Sequence, residues 1–163
     1  YILGGRDMDL TPYQLGPDDP ALSALLVLMH DCFGYMEGRI APPSSLGRVT
    51  AASLQDTAAQ AEIWCIGAPP LACMMLTAKP GRLYLGKVCV APTHQRLGLA
   101  RHLINHADAR ARALRLPMLE LQTRVELEDN HATFHALGFT EYARTAHAGF
   151  DRPTSITMRK PVS

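Results

Sequence analysis

The sequence predicts an α/β fold with a mixed, mostly antiparallel sheet of six to seven strands and about four flanking helices. Three observations carry this prediction. The N-terminal third has a helical repeat, the middle has three consecutive apolar segments separated by Pro and Gly turns, and the pattern after Ala91-Pro92 changes from period two to period 3.6. Because a strand, a long helix and another strand then follow, we expect one parallel pair of strands beside that helix.

Two helices are predicted in the N-terminal third. Asp18, Asp19 and Pro20 supply capping carboxylates and an N1-type proline before an amphipathic helix that we expect to end near Gly34. Its apolar stripe comprises Leu22, Leu25, Leu26 and Met29. Residues 38–47 are rich in Gly, Pro and Ser and predict a loop, and a weaker helical pattern follows at 50–61.

An antiparallel meander is predicted in the middle of the chain. Segments 62–67, 71–78 and 82–90 are rich in Ile, Val, Leu, Cys and Met. The tripeptides Ala68-Pro69-Pro70 and Lys79-Pro80-Gly81 separate them, and such short turns join antiparallel neighbours.

The C-terminal half predicts a long helix followed by alternating strands and a short helix. The long helix covers about 97–115, and Pro117 ends it. Its apolar stripe comprises Ala100, Leu103, Ile104, Ala107, Ala111 and Leu114. Next we expect a strand, a short helix with Gly138 as its C-cap, and two strands, at 118–123, 129–137, 139–143 and 155–158.

Length and composition indicate a single domain spanning 1–163. The chain has 163 residues, of which 47% are hydrophobic and 19% charged, which excludes a disordered chain. A formal charge of +1 gives no whole-protein reason to expect nucleic acid or an anionic membrane as the partner. The longest nearly apolar run, Ala21 to Met29, is too short to span a bilayer, and Tyr1 to Leu10 lacks the pattern of a secretory signal.

The four cysteines predict buried thiols. Their wide spacing is unlike that of a CxxC metal or redox pair, so we expect a protein of the reducing cytoplasm. They are Cys32, Cys65, Cys73 and Cys89. Two histidine pairs with i, i+4 spacing, His102/His106 and His131/His135, have no HExxH order and no obvious third ligand, so we expect no metal.

The segment from Val88 to Ala100 carries the chemistry. A strand leads through a short loop into the long helix, and Gly98 and Ala100 leave the first helical amides open to a ligand. Unpaired N–H groups and the helix dipole favour a phosphate there. Arg96 and Arg101, beside the loop, are the expected phosphate contacts, whereas Arg110, Arg112 and Arg115 read as a solvated face.

Two familiar phosphate-binding motifs do not fit this loop. Gly98-Leu99-Ala100 has neither the lysine nor the hydroxyl of a P-loop. The loop also follows a meander instead of opening the repeated strand-helix units of a dinucleotide-binding fold.

The sequence resembles the GNAT superfamily of acetyl-coenzyme A dependent N-acetyltransferases in two segments of the C-terminal half. Phe134-His135-Ala136-Leu137-Gly138-Phe139 resembles the family's Tyr-x-x-Leu-Gly-Phe, and Val88-Cys89-Val90 followed by Pro92 resembles its Val-x-Val-x-Pro strand end. The loop resembles the family's Gln/Arg-x-x-Gly-x-Gly/Ala, in the residues Gln95, Arg96, Leu97, Gly98, Leu99 and Ala100.

The resemblance implies a GNAT-like sheet whose central parallel pair splays apart. The loop residues and Arg101 would hold the pyrophosphate of acetyl-coenzyme A, the cosubstrate, and the strand Val88 to Val90 would pair with pantetheine. A substrate amine would attack the acetyl carbonyl directly, with a backbone N–H of Cys89 or Val90 as the oxyanion donor.

The proton donor departs from the family pattern. The position that often supplies a tyrosine hydroxyl to the leaving thiolate is Phe134, which cannot donate a proton. Tyr142 and His135 are the other candidates, and water is a further source because a thiol is a fair leaving group. The family's asparagine position is Leu127, and Asn130 either caps the short helix or contacts pantetheine.

The general base and the acceptor contacts stay open. The position where some members carry a glutamate falls near Tyr84, and Lys87 is either a base or a solvated side chain. Glu126, Glu128 and Asp129 either compensate a helix dipole or attract a cationic amine. In the loop from Tyr35 to Ser45, Glu37 is our first candidate for contacting the acceptor, and the turn 145–153 would form the opposite wall.

Taken together, the residues and the resemblance predict a bacterial-type, GNAT-type N-acetyltransferase. It would transfer acetyl in a ternary complex to a primary amine of a small molecule or peptide. An exposed sheet edge is compatible with a homodimer. The alternatives are a non-catalytic coenzyme A binding or sensing module, favoured by Phe134, and a nucleic-acid module built on the arginine-rich helix.

Overall fold

The computed structural model describes residues 9–95 and 97–163. The helices are α1 (Leu22–Met36), α2 (Ala51–Gln60), α3 (Leu99–Ala113) and α4 (Glu128–Ala136), and short 3-10 turns cover Ser45–Arg48 and Pro92–His94. The strands are β1 (Tyr13–Leu15), β2 (Glu62–Ile66), β3 (Ala72–Lys79), β4 (Arg82–Val90), β5 (Met118–Arg124), β6 (Thr140–Thr145) and β7 (Ser155–Pro161).

One seven-stranded sheet organises the described residues, in the order β1-β2-β3-β4-β5-β7-β6. Every neighbouring pair is antiparallel except β4 and β5, which are parallel and flank the crossover helix α3. The predicted mixed sheet with one parallel pair and four helices is therefore confirmed. Two details differ: β1 was not predicted, and α1 runs two residues past Gly34 to Met36.

A bulge in β4 separates the two parallel strands. Between the pairs Cys73↔Cys89 and Met75↔Gly86, β4 has one residue more than β3, and Lys87 there has a φ of 48°. The bulge switches the alternation of the strand, so that Val88 packs on the same face as Leu85. Pairing between β4 and β5 covers only residues 83–85 and 119–121, so the two strands diverge beyond it.

Two apolar layers cover the two faces of the sheet. Helices α3 and α4 pack on one face around a buried core that includes Leu85, Leu103, Leu121 and Phe139. Helices α1 and α2 pack on the other face around a separate core that contains all four cysteines. Each layer removes its apolar side chains from water, which is the main stabilising contribution to the fold.

A buried carboxylate on β5 links this strand to β4 and β7. Glu120 accepts from Arg82 Nε at 3.0 Å and from Arg159 Nε at 2.8 Å. Desolvation by itself would raise the pKa of Glu120. The hydrogen bonds from the two guanidinium groups have the opposite and larger effect, so the pKa of Glu120 lies below its usual value.

Among the described residues, no helix is long and apolar enough to cross a membrane.

Candidate active site

The N-terminus of α3 forms an open cradle of main-chain donors. Gly98 is the residue before the helix and has a φ of 81°, the left-handed conformation that glycine adopts without strain. A Cβ built on Gly98 would meet no atom within 4 Å, so the space in front of the first turn is free. The amides of residues 99–101 have no intrahelical acceptor, and with the helix dipole they can bind an anion.

The end of β4 presents a second set of free main-chain groups. Ala91 N–H donates to Leu71 O at 2.7 Å, towards β3. Because successive amides of a strand point to opposite sides, the N–H of Val90 points away from β3 and that of Cys89 points towards it. Cys32 Sγ lies 3.6 Å from Val90 O, so α1 covers this strand end. Of our two candidate oxyanion donors, the geometry favours Val90.

A single cleft of about 550 Å³ connects these two groups of donors. It opens where β4 and β5 diverge, and α1, α3 and α4 form its walls. From the predicted set, the lining includes Val88, Cys89, Val90, Gln95, Gly98, Leu99, Ala100, Arg101, Asn130 and Phe134. The cleft therefore brings together ten of the twelve residues predicted for the cosubstrate.

The α4 wall has an apolar centre with polar residues beside it. Phe134 is 8% exposed and packs edge-to-face against Phe139, with ring centroids 6.0 Å apart. Asn130 lines the cleft, and its backbone N–H donates to Leu127 O at 3.0 Å in the first turn of α4. Sequence reasoning missed the neighbouring Thr133, although its position one residue before Phe134 was a usable signal.

The α1 wall adds Cys32, to which the sequence analysis gave no site role, and residues of the segment 35–45, which it expected beside the acceptor. Cys32, Tyr35, Met36 and Arg39 line the cleft from the end of α1 and the residues that follow it. The Arg39 guanidinium lies 5.2 Å from the centroid of the Tyr35 ring, which is 48% exposed. The helical spacing of 32, 35, 36 and 39 was the signal that could have placed them on one face.

Several predicted residues lie elsewhere. Leu97 is 57% exposed and does not line the cleft, and Arg96 is outside the described residues. Tyr142 is 61% exposed on β6, with the Arg159 guanidinium 3.7 Å from its ring centroid, so it does not face the cleft. Glu37 is exposed at the end of α1 and is not among the lining residues either.

Other candidates for proton transfer are also displaced from the cleft. His135 lines a separate cavity between α4 and β6. Lys87 Nζ lies 3.5 Å from Ser45 Oγ, and Lys87 does not line the cleft. Among residues 9–95 and 97–163, no three His, Cys, Asp or Glu side chains are grouped to hold a metal ion.

The thiols at the cleft are held in their protonated form. All four cysteines are free and buried. A hydrogen bond with Cys89 and burial raise the pKa of Cys32 far above its usual value. For Cys89, the hydrogen bond with Cys32 lowers the pKa, but Cys73 and burial raise it more. Because the thiolate is the nucleophilic form of cysteine, this raised pKa disfavours nucleophilic chemistry at the Cys89 side chain.

Comparison with known proteins gives the family of this chain. The profile of the Acetyltransferase (GNAT) family matches residues 22–139, well over half of the sequence. No curated protein matches the chain by sequence.

Solved structures share the fold across almost the whole chain. The ribosomal-protein-S18-alanine N-acetyltransferase from Escherichia coli has a TM-score of 0.71 and 21% identity, over 94% of each chain. The PaiA N-acetyltransferase from Thermoplasma acidophilum, in complex with coenzyme A, has a TM-score of 0.74 and 10% identity, over 92% of this chain and 97% of that one. IAA acetyltransferase from Bacillus cereus has a TM-score of 0.63 and 16% identity, over 93% and 98%.

Proposed function

The chain belongs to the acetyltransferase (GNAT) family, and we propose that it transfers the acetyl group of acetyl-coenzyme A directly to a primary amine in a ternary complex. One observation carries the proposal: a single cleft runs from the free amides of residues 99–101 to the outward-facing main chain of Val90. An anion site and a strand edge at the two ends of one cleft suit a ligand with a pyrophosphate and an amide-bearing arm.

The cleft residues divide the binding of this ligand between them. The amides of residues 99–101 and the Arg101 side chain take the pyrophosphate. The main chain of 88–90 pairs with the pantetheine amides as an added strand would. Asn130 and Phe134, on α4, close the other side of the arm and exclude water from it.

The chemical step needs an oxyanion donor, a route for protons and an open approach for the amine. The N–H of Val90 is our proposed donor to the tetrahedral oxyanion. The neutral amine attacks the acetyl carbonyl, the C–S bond breaks, and the thiolate leaves. Phe134 cannot protonate it and Tyr142 lies outside the cleft, so we assign that proton, and the removal of the amine proton, to water.

The acceptor is a small-molecule or peptide amine in this proposal. The Escherichia coli structure is named for an alanine of ribosomal protein S18, but at 21% identity that likeness shows the fold alone. The free, buried thiols fit a protein that works in a reducing compartment.

The test is release of coenzyme A thiol across a panel of amines: polyamines, aminoglycosides, amino acids and peptides with free N-termini. We expect turnover with one chemical class and acetylated product by mass spectrometry. Phe134 specifically favours a second candidate, a coenzyme A sensing module. Tight binding of acetyl-coenzyme A, with no turnover of any amine, would establish that candidate instead.

A further inference from the structure

The segment after α1 crosses the opening between β4 and β5 and is hydrogen-bonded to residues at the end of β5. Arg124, the last residue of β5, donates through Nη1 to Pro42 O and through Nη2 to Pro43 O, the latter at 3.1 Å. Glu126 Oε2 accepts from Ala41 N–H at 3.1 Å. We call residues 37–43 the strap, because these bonds tie the α1 side of the cleft to the β5 side.

The two fastening residues are themselves fixed in place. The Arg124 carbonyl lies 2.7 Å from His131 Nε2, which anchors the end of β5 to α4. Arg124 is half-buried, and this burial lowers the pKa of its guanidinium. A guanidinium withdrawn from water needs hydrogen-bond acceptors within the protein, and the strap carbonyls supply two of them. In the described part of the chain, the other carboxylate oxygen of Glu126 is buried without a partner.

The strap lies on the face of the sheet opposite α3. Leu121 points into the core beneath α3 and α4, so Arg124, at the opposite parity of β5, points to the α1 face. The anion cradle belongs to α3, on the other face, so the coenzyme enters from there. The acceptor must therefore approach from the α1 face, where Tyr35, Met36 and the strap residue Arg39 line the cleft.

We propose that Arg124 and Glu126 are positioning residues that hold the strap as the acceptor-side wall of the active site. They set the affinity for the amine and leave the affinity for acetyl-coenzyme A unchanged. This inference rests on the proposed function, since it assigns a role within acetyl transfer. Neither residue touches the reacting atoms, and both act through the main chain of residues 41–43.

The first test follows the Ala41 amide by hydrogen exchange and needs no turnover. Arg124→Gln removes both bonds to the proline carbonyls but leaves the Ala41 partner, Glu126, intact. We expect the Ala41 amide to exchange at least about tenfold faster, with the amides of α3 unchanged. Arg144→Gln is the matched control, because Arg144 pairs with Glu141 on β6 and does not contact the strap.

The second test separates the two substrates. For Arg124→Gln and Glu126→Ala we expect the KM of the amine to rise about tenfold or more, while the Kd of coenzyme A stays within about twofold. Arg124→Lys, which keeps the charge but not the two-pronged donor, should fall between Arg124→Gln and the wild type. It also provides a folded variant if Arg124→Gln does not fold.

Three results would overturn the proposal. Unchanged exchange at Ala41 would mean that the strap is not held by Arg124. An equal rise in the coenzyme A Kd and the amine KM would indicate a structural role only, as would faster exchange throughout the protein. If no amine is acetylated, the exchange and coenzyme titrations still decide whether the strap is held, and only the proposed function fails.

Discussion

Replacing Gly98 with glutamate tests the anion cradle directly. The Cβ itself meets no atom within 4 Å, so the substitution creates no clash with the protein. The φ of 81° strains any L side chain by about 1–2 kcal/mol. This strain is the same for glutamine, which has nearly the same shape as glutamate but no charge.

The difference between the two variants isolates the charge. A carboxylate about 5 Å from one phosphate charge, at an effective dielectric constant of about 20, repels it by about 3 kcal/mol. That energy corresponds to a roughly hundredfold weaker affinity. We therefore expect Gly98→Glu to bind coenzyme A about a hundredfold more weakly than Gly98→Gln.

Calorimetric titration of coenzyme A into wild type and both variants measures this difference. Thermal unfolding of each variant controls for a loss of fold. Because salt screens exposed charges, with a Debye length of about 3 Å at 1 M, the gap between the variants should narrow at high salt. Equal affinities for the two folded variants at low salt would refute the assignment of the cradle to the pyrophosphate.

The remaining predictions concern single side chains. Tyr142→Phe should leave kcat within about twofold of wild type, because the hydroxyl lies outside the cleft. A loss of kcat of about a hundredfold, typical of a removed general acid, would indicate that Tyr142 is the proton donor. Phe134→Tyr should raise kcat by supplying a proton donor on the cleft wall, and steady-state kinetics with an unchanged or lower kcat would contradict that. Glu120→Gln should lower the free energy of unfolding by about 3 kcal/mol at pH 7, because it leaves Arg82 and Arg159 without their carboxylate. Since folding lowers the pKa of Glu120, its stabilisation is present above the unfolded value of 4.5 and is lost as the pH falls through the folded pKa. Urea unfolding of Glu120→Gln and wild type should therefore converge at acid pH, and a pH-independent difference would contradict this.

The sequence predicted those helices and strands whose hydrophobic pattern lies within one short stretch of residues. The meander from β2 to β4 followed from apolar runs between proline and glycine turns, and the repeat of α3 from spacings of three and four. The anion site was recognisable because it needs only small residues, here Gly98 and Ala100, at a helix start. By contrast, β1 has three residues, too few for an alternating pattern.

Residues placed by long-range geometry could not be predicted. The side chain of Tyr142 stacks on Arg159 next to a register shift between Glu141 and Ala143, which no local pattern reveals. The strap bonds join residues 81 to 85 positions apart, so neither Arg124 nor Glu126 could be linked to it from spacing.

A crystal structure with acetyl-coenzyme A bound measures the central claim most directly. We predict density for the pyrophosphate on the amides of residues 99–101, pantetheine beside Val88 to Val90, and the acetyl oxygen within hydrogen-bond distance of the Val90 N–H. Cosubstrate density elsewhere on the protein, with an empty gap between β4 and β5, would contradict the account.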